Sequence, residues 1–200
     1  NSFGVTGYVR IYDDEGCIDD LTGANWVRIE ESSFVTVGYD VVDSRNEIQW
    51  YPYPFLSTTD ETGSRTAVAV SDAMSESELA AALLLRADLS AETDREDEIT
   101  LTTLSQAEKY DKKVIVSLVE NLPETLKSHL QNGGENLTDR AAIVCFGQGE
   151  DRTLLLASTD GDCLMEAARL LVDESRVLQE KKTVTYVRRD ESRLMLDALN

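Results

Sequence analysis

Residues 66–89 read TAVAVSDAMSESELAAALLLRADL, a short apolar run followed by a longer segment rich in Ala and Leu. The run Thr66–Val70 is small or β-branched, which is typical of a strand buried on both faces of a parallel sheet. Ser75 and Glu78 have the spacing of a capping box, in which each side chain bonds a free amide of the first helical turn. The stretch therefore predicts a strand that leads directly into a helix, the repeating unit of α/β folds.

The alternation of strand and helix continues along the chain. Further strands are predicted over 98–104, 113–119, 141–146, 152–157 and 183–187, and further helices over 123–130 and 163–172. The short glycine-containing connection 147–151 favours a hairpin between the strands that flank it. The pattern predicts an α/β domain with a mainly parallel sheet, helices on both of its faces and an antiparallel pair at one edge.

Residues before about 58 follow a different pattern. Short runs at 7–12, 26–30 and 34–37 alternate or use β-branched and aromatic residues, which is typical of strands. The sequence Tyr51-Pro52-Tyr53-Pro54-Phe55 follows, and its prolines favour extended backbone over a helix or a central strand. We therefore predict a β segment at 1–57, an α/β domain at 58–189, and a tail or the start of a next element at 190–200.

The chain is strongly acidic, with a formal net charge of −19. Such a surface repels phosphate backbones and anionic lipid headgroups, which argues against nucleic acid as a partner. A neutral polysaccharide would be indifferent to this field, although the charge has a simpler interpretation as an aid to solubility. No run approaches the roughly 18 apolar residues of a membrane helix. Residues 1–4 lack a secretory signal, so we expect a piece of a longer protein.

The sequence offers no pattern for a catalytic, cofactor or metal site. Loop 71–77 follows a strand, where doubly wound sheets bind ligands, but it has no glycine and carries Asp72 and Glu76, which would repel a phosphate. The single histidine, His129, excludes a site that needs two imidazoles and is expected at the surface. Cys145 lies in an apolar run and is expected to be buried in a strand. We expect a protein that is not an enzyme and holds no cofactor.

Most of the aromatic residues fall in the stretch 26–55: Trp26, Phe34, Tyr39, Trp50, Tyr51, Tyr53 and Phe55. Trp and Tyr combine a flat apolar face with a polar edge, which suits stacking against sugar rings. Trp26, Trp50, Tyr51 and Tyr53 are therefore candidates for contact with a carbohydrate. The alternative is that these rings fill the β segment and its junction with the α/β domain, which is the favoured interpretation for Trp26, Phe34 and Phe55.

Motifs in order along the chain carry a resemblance to a known family. Cys17-x-Asp19-Asp20, Asn25-Trp26-Val27-x-Ile29 and Ser32-Ser33-Phe34 come first, followed by Tyr51-Pro52-Tyr53-Pro54-Phe55-Leu56, Ala67–Leu89 and Arg152–Leu171. The first three are similar to closing strands of the carbohydrate-binding-like β domain of bacterial cellulose synthase B subunits. The others resemble that family's passage into its flavodoxin-like domain and two strand–helix units of it.

The resemblance implies both a fold and a function. The fold is a jelly-roll-like carbohydrate-binding β domain followed by a flavodoxin-like three-layer α/β domain. The function is that of a non-catalytic accessory subunit of a cellulose or exopolysaccharide synthase. Such a subunit lies outside the cytoplasmic membrane, held by an anchor that these residues do not include. It partners the catalytic glycosyltransferase subunit and guides a neutral glucan.

Other interpretations of the same sequence stay open. The family is also called cyclic di-GMP-binding, but no Arg cluster or phosphate loop here supports that ligand. One alternative function is a flavin-binding, flavodoxin-like electron carrier, which would need a phosphate loop in the α/β half. Another is a cell-surface adhesion domain that shares the fold alone.

Overall fold

The computed structural model describes residues 46–53, 55–56, 65–93, 99–148 and 151–189. The chain divides into two units, Asn1–Val41 and Val42–Asn200, and every described residue lies in the second. The predicted strands before residue 46, with Trp26, and the predicted tail at 190–200 lie outside the described residues. The jelly-roll-like part and the domain boundary at 57/58 therefore stay predictions.

Strands and helices alternate through the described part of the second unit. The strands are β1 (Thr66–Val70), β2 (Ile99–Thr103), β3 (Lys112–Leu118), β4 (Arg140–Gln148), β5 (Asp151–Ser158) and β6 (Val184–Arg188). The helices are α1 (Glu76–Ala91), α2 (Leu104–Ala107), α3 (Glu124–Lys127), α4 (Gly161–Leu171) and α5 (Glu174–Val177). Each predicted strand is confirmed to within two residues at its ends. The short helices α2 and α5 were not predicted, and among the described helices none has the length and apolar character of a membrane span.

The six strands form one mixed sheet in the order β2-β1-β3-β5-β4-β6. β2, β1, β3 and β5 run parallel, whereas β4 is antiparallel to both β5 and β6. The predicted α/β class, the mainly parallel sheet and the β4–β5 hairpin are confirmed. From β1 the chain passes through α1 to β2 and then returns to β3 on the other side of β1. The topological switch point therefore lies between β1 and β3.

The two long helices, α1 and α4, cover one face of the sheet. On α4 the face toward the sheet is buried and includes Leu164, Ala167, Ala168 and Leu171. On α1 the buried stripe consists of Ala81, Ala82, Leu85 and Leu89. Leu83 and Arg86 also have helical spacing, but both are exposed. Residues 79–85 are all apolar and therefore lie on every side of the helix. Their spacing alone does not predict which side packs on the sheet.

The other face of the sheet is covered by short segments rather than by long helices. Its core contains Ala67, Ala69, Ile115, Ala142, Val144 and Leu155, and it is closed by residues of α2 and of the stretch 119–137. The helix predicted over 123–130 is a single turn, α3, because Leu130 is extended and buried in this core. Asn132 and Gly133 then take positive φ angles, which turns the chain back toward β4. Helices were predicted on both faces of the sheet. On this second face the prediction holds only in that one-turn helices, α2 and α3, lie there.

A substitution at Gly147, near the end of β4, tests the backbone geometry of the β4–β5 hairpin. The φ of Gly147 is +116°, and a Cβ atom there would lie 2.1 Å from the carbonyl oxygen of Asp151. We expect Gly147→Ala to lower the free energy of unfolding by at least about 2 kcal/mol, because the backbone must shift to relieve this contact. Gly133→Ala is the matched control: its φ is +61° and its Cβ would meet nothing within 4 Å, so the loss should be about 1 kcal/mol. Urea unfolding at pH 7 measures both, and equal losses would contradict this geometry.

Candidate functional site

The residues Glu47–Tyr53, called here the aromatic segment, pack onto the α/β domain. Ile48–Trp50 forms one 3-10 turn, and the Ile48 side chain is buried in the core beneath α1 and α4. The amides of Ile48 and Gln49 donate to the carbonyls of Lys182 and Glu180, each at 2.9 Å. The segment is therefore fastened by its backbone to the chain that leads into β6.

Contacts on either side fix the two ends of the aromatic segment. Before it, the Asn46 side chain donates to the carbonyl of Gly147 at 3.1 Å and accepts from Arg152. After it, the Thr66 hydroxyl donates to the carbonyl of Phe55 at 2.5 Å. The Phe55 ring is buried in the same core as Ile48, so it packs inside the α/β domain. These contacts hold the segment in one place on the domain.

The aromatic segment forms one wall of an open cleft of about 440 Å³. Asp88 and Glu92, at the end of α1, form a second wall. The third wall consists of residues from the end of α4 and from α5 with its following turn: Leu171, Val172, Glu174, Val177 and Leu178. The cleft thus lies where the carboxyl ends of the two long helices meet the aromatic segment.

Three large apolar side chains in this cleft remain open to solvent. Trp50 is 49% exposed, Tyr53 is 50% exposed and Leu178 is 55% exposed. The Trp50 indole Nε1 donates to a carboxylate oxygen of Glu47 at 3.2 Å, which fixes the edge of the ring. Exposed aromatic faces beside a concave surface are typical of a binding site rather than of a core.

Tyr51 has a different environment from its two aromatic neighbours. It is only 7% exposed, and its ring packs on Phe55 with the centroids 6.5 Å apart. Its hydroxyl donates to Asp88 Oδ2 at 3.1 Å. Burial raises the pKa of Tyr51 well above its ordinary value, and the Asp88 charge and hydrogen bond raise it further. The phenol therefore stays protonated at neutral pH and acts as a hydrogen-bond donor toward the cleft.

Among the described residues that line the cleft, the charged groups are all carboxylates. Asp88, Glu92 and Glu174 line it, and none of the described lining residues is Lys, Arg or His. Burial raises the pKa of Asp88, as does the nearby charge of Glu92, while the hydrogen bond from Tyr51 lowers it. Asp88 and Glu92 also lie at the negative end of the α1 dipole. The cleft therefore presents acceptors and a negative potential beside exposed aromatic rings.

Three of the four residues predicted to contact carbohydrate come together in this cleft. Trp50 and Tyr53 offer their rings to solvent, whereas Tyr51 lies behind them. Trp26 lies outside the described residues. Asp88, Glu92 and the 171–178 wall were not predicted from the sequence as parts of a site. The one sequence signal for the two acidic residues is their i, i+4 spacing at the end of a helix that has no basic residue in its last turn.

The topological switch point, where doubly wound folds bind ligands, is occupied by a side chain of the protein itself. Glu78 Oε2 accepts from the amide of Ser75 at 2.6 Å, and the Ser75 hydroxyl accepts from the amide of Glu78 at 3.2 Å. This confirms the predicted capping box. Glu78 Oε1 also accepts from the amide of Leu118, at the end of β3, at 2.9 Å. A buried carboxylate thus takes the amides of both β1/β3 loops that an anionic ligand would need.

The charge of Glu78 is stabilised in spite of its burial. Burial on its own raises the pKa of this carboxyl, but hydrogen bonds from Ser75, Leu118 and Asn121 outweigh it and hold the pKa below its ordinary value. Glu78 therefore joins the start of α1 to the end of β3 as an anion. Its role at this position is structural.

Cys145 and His129, which the sequence also singled out, do not line the cleft. Cys145 in β4 is a buried free thiol, as predicted, and burial raises its pKa to about 11. His129 is exposed, as predicted, and its ring stacks on Phe146 with the centroids 3.7 Å apart. Within the described ranges, no three His, Cys, Asp or Glu side chains come together as a group that could hold a metal ion.

Comparisons with known proteins include a distant relative. No protein-family model matches the chain. The chain is similar to the uncharacterized protein YdaN of Bacillus subtilis, with 28% identity over 166 residues. These residues cover 80% of this chain but only 23% of the relative. The chain thus spans about a quarter of that protein's length, and the name of the relative states no activity.

Glu78→Gln tests the structural role of the switch-point carboxylate. At pH 7 the free energy of unfolding should fall by about 1 to 3 kcal/mol, since an amide cannot accept from both backbone donors. Because the folded-state pKa of Glu78 is lowered, its stabilisation is present above the ordinary glutamate pKa of about 4.3 and is lost as the pH falls through the folded-state pKa. Wild-type protein should therefore lose more stability than the variant between pH 7 and pH 3, measured by urea unfolding.

The matched control for this prediction is Glu76→Gln, which removes the same charge from an exposed position in the same helical turn. Its unfolding should keep the acid sensitivity of the wild type. If Glu78→Gln showed the same loss of stability with acid as wild type, the carboxylate would not be the group that links α1 to β3.

Proposed function

We propose that this chain belongs to a non-catalytic accessory subunit of an exopolysaccharide synthase, and that its α/β domain contacts a neutral glucan. The observation that carries the proposal is the cleft, in which Trp50 and Tyr53 present half-exposed rings beside Asp88 and Glu92. Sugar rings stack their C–H faces on aromatic side chains, and sugar hydroxyls donate to carboxylates. An open cleft also suits a polymer that continues beyond the site.

The resemblance to cellulose synthase B subunits supports the same function. Its Tyr-Pro-Tyr-Pro-Phe passage overlaps the aromatic segment that walls the cleft. By that resemblance, the parent protein would be membrane-anchored, lie outside the cytoplasmic membrane and bind the catalytic glycosyltransferase subunit. The net charge of −19 suits a neutral polymer better than nucleic acid.

The flavodoxin-like part of the proposal rests on the first half of the sheet. The order β2-β1-β3 with α1 as a crossover matches the doubly wound plan of flavodoxin-like folds. The antiparallel β4 departs from that plan, in which the remaining strands are parallel. The first half of the sheet supports a flavodoxin-like fold as a proposal, with an altered second half.

The two alternative functions find less support in the described residues. A flavin carrier needs free backbone amides for the phosphate at the switch point, and Glu78 already bonds those of Ser75 and Leu118. An adhesion domain would share the fold and is distinguished by its gene neighbours. A processive glycosyltransferase next to the parent gene favours the synthase, and cell-wall genes favour adhesion.

The proposal predicts that the 200-residue chain binds cellohexaose through its exposed rings. Replacing both Trp50 and Tyr53 by Ala should weaken binding about 10-fold, because two stacking contacts are lost. Isothermal titration calorimetry measures the affinity. Tyr186→Ala is the matched control, since this exposed ring lies on β6 next to Arg140, away from the cleft, and its loss should leave the affinity unchanged.

A cellular measurement tests the same proposal in the full-length parent. The Trp50 and Tyr53 double variant should lower the amount of secreted polymer, and deletion of the parent gene should abolish it. Normal secretion after deletion would show that the protein does not serve polysaccharide export.

A further inference from the structure

Asp88 occupies a special position between the core and the cleft. It is half-buried in the last turns of α1, and its Oδ2 atom accepts the hydrogen bond from the buried Tyr51 hydroxyl. The same side chain lines the cleft, beside the exposed Trp50 and Tyr53. Because Tyr51 binds Oδ2, the orientation of the Asp88 carboxylate is fixed from the core.

The surroundings of Asp88 select for donors rather than acceptors. Its charged neighbours in the cleft are Glu92, four residues further along α1, and Glu174 at the start of α5. Tyr51, on the aromatic segment, already donates to it. A ligand group that carries a negative charge would face three carboxylates, with no cation among the described lining residues to offset them.

Resting on the proposed function, we propose that Asp88 is the specificity-determining residue of the cleft. Its carboxylate accepts hydrogen bonds from unsubstituted sugar hydroxyls and rejects chains that carry carboxylate, sulfate or phosphate groups. Tyr51 is the positioning residue that holds Asp88 in place, rather than a surface on which a sugar stacks. The cleft thereby selects by charge among polymers that stack equally well on Trp50 and Tyr53.

The cleft would distinguish two polymers because its carboxylates accept hydrogen bonds from sugar hydroxyls and repel carboxylate groups on a sugar. A glucan hexamer offers hydroxyl donors to the carboxylates and C–H faces to the rings. Its analogue oxidised at C6 to a uronic acid keeps the same backbone and the same ring faces but adds one negative charge to each sugar. Because both chains stack alike, the difference in their affinities measures the charge selection alone.

The experiment compares cellohexaose with the β-1,4-linked hexamer of glucuronic acid on the whole 200-residue chain. Wild-type protein should bind the neutral hexamer at least about 10-fold more tightly at low ionic strength. The difference should narrow at high salt, because the repulsion is screened. Asp88→Asn should bind cellohexaose about 10-fold more weakly and should lose most of the preference for the neutral chain.

Two further variants separate recognition from stability. Glu92→Gln removes a charge from an exposed cleft residue without touching the Tyr51–Asp88 bond, and it should reduce the rejection of the anionic hexamer more than it weakens cellohexaose binding. Glu108→Gln, an exposed acid beyond α2 on the opposite face of the sheet, should keep both affinities. Urea unfolding of each variant establishes that the fold is retained.

Tyr51→Phe tests the positioning role through the pH profile of cellohexaose binding. A change in packing alone would not shift the midpoint of this profile. Cellohexaose binding should decrease as the pH falls through the pKa of Asp88. Removing the Tyr51 hydrogen bond removes a contact that lowers this pKa, so the midpoint of the pH profile should move upward. An unchanged midpoint in Tyr51→Phe would overturn the positioning role.

The outcomes distinguish this inference from the function on which it rests. If wild-type protein bound neither hexamer, the proposed contact with glucan and the specificity of Asp88 would both be overturned. If it bound both equally, or if Asp88→Asn kept the full preference, the specificity of Asp88 alone would be overturned.

Discussion

The burial of the aromatic segment against the ends of α1 and α4 is the constraint on which the candidate site depends. Ile48 and Phe55 occupy the core, and between them the Tyr51 hydroxyl bonds Asp88. With these three side chains turned inward, the alternate residues Trp50 and Tyr53 are turned outward to solvent. The exposed rings are therefore a consequence of how the segment is anchored. A chain that left the segment unanchored would have the same aromatic composition but no cleft.

Two kinds of carboxylate in the domain have opposite roles. Glu78 lies at the switch point with its charge shared among backbone amides, so the fold uses up the position at which related architectures bind anions. Asp88 and Glu92 lie at the opposite end of the same helix and face a cleft. Helix α1 thus carries a satisfied acid at its positive end and solvent-facing acids at its negative end. The first stabilises the fold, whereas the second group lies at the helix end where negative charge is unfavourable.

The sequence predicted most of the sheet because local and global signals agree from residue 66 onward. The run Thr66–Val70 and the Ser75–Glu78 capping box both specify a strand followed by a helix, and the structure has both. The sequence did not predict features that depend on contacts between distant residues, such as which helix face is exposed and which side chains meet. Leu83 is apolar yet exposed, and Tyr51 is separated by 37 positions from Asp88. The candidate rings were identified from their chemistry, but the acids that complete the cleft come from distant parts of the chain.

The most direct test of this account is the two-dimensional NMR spectrum of the isotope-labelled chain during titration with cellohexaose. The indole N–H of Trp50 and the methyl groups of Leu178 report on the two sides of the cleft. The account predicts that both shift together along one saturable curve while the amide of Tyr186, on β6, stays in place. Unchanged Trp50 and Leu178 signals at saturating oligosaccharide, or shifts confined to another surface of the domain, would contradict it.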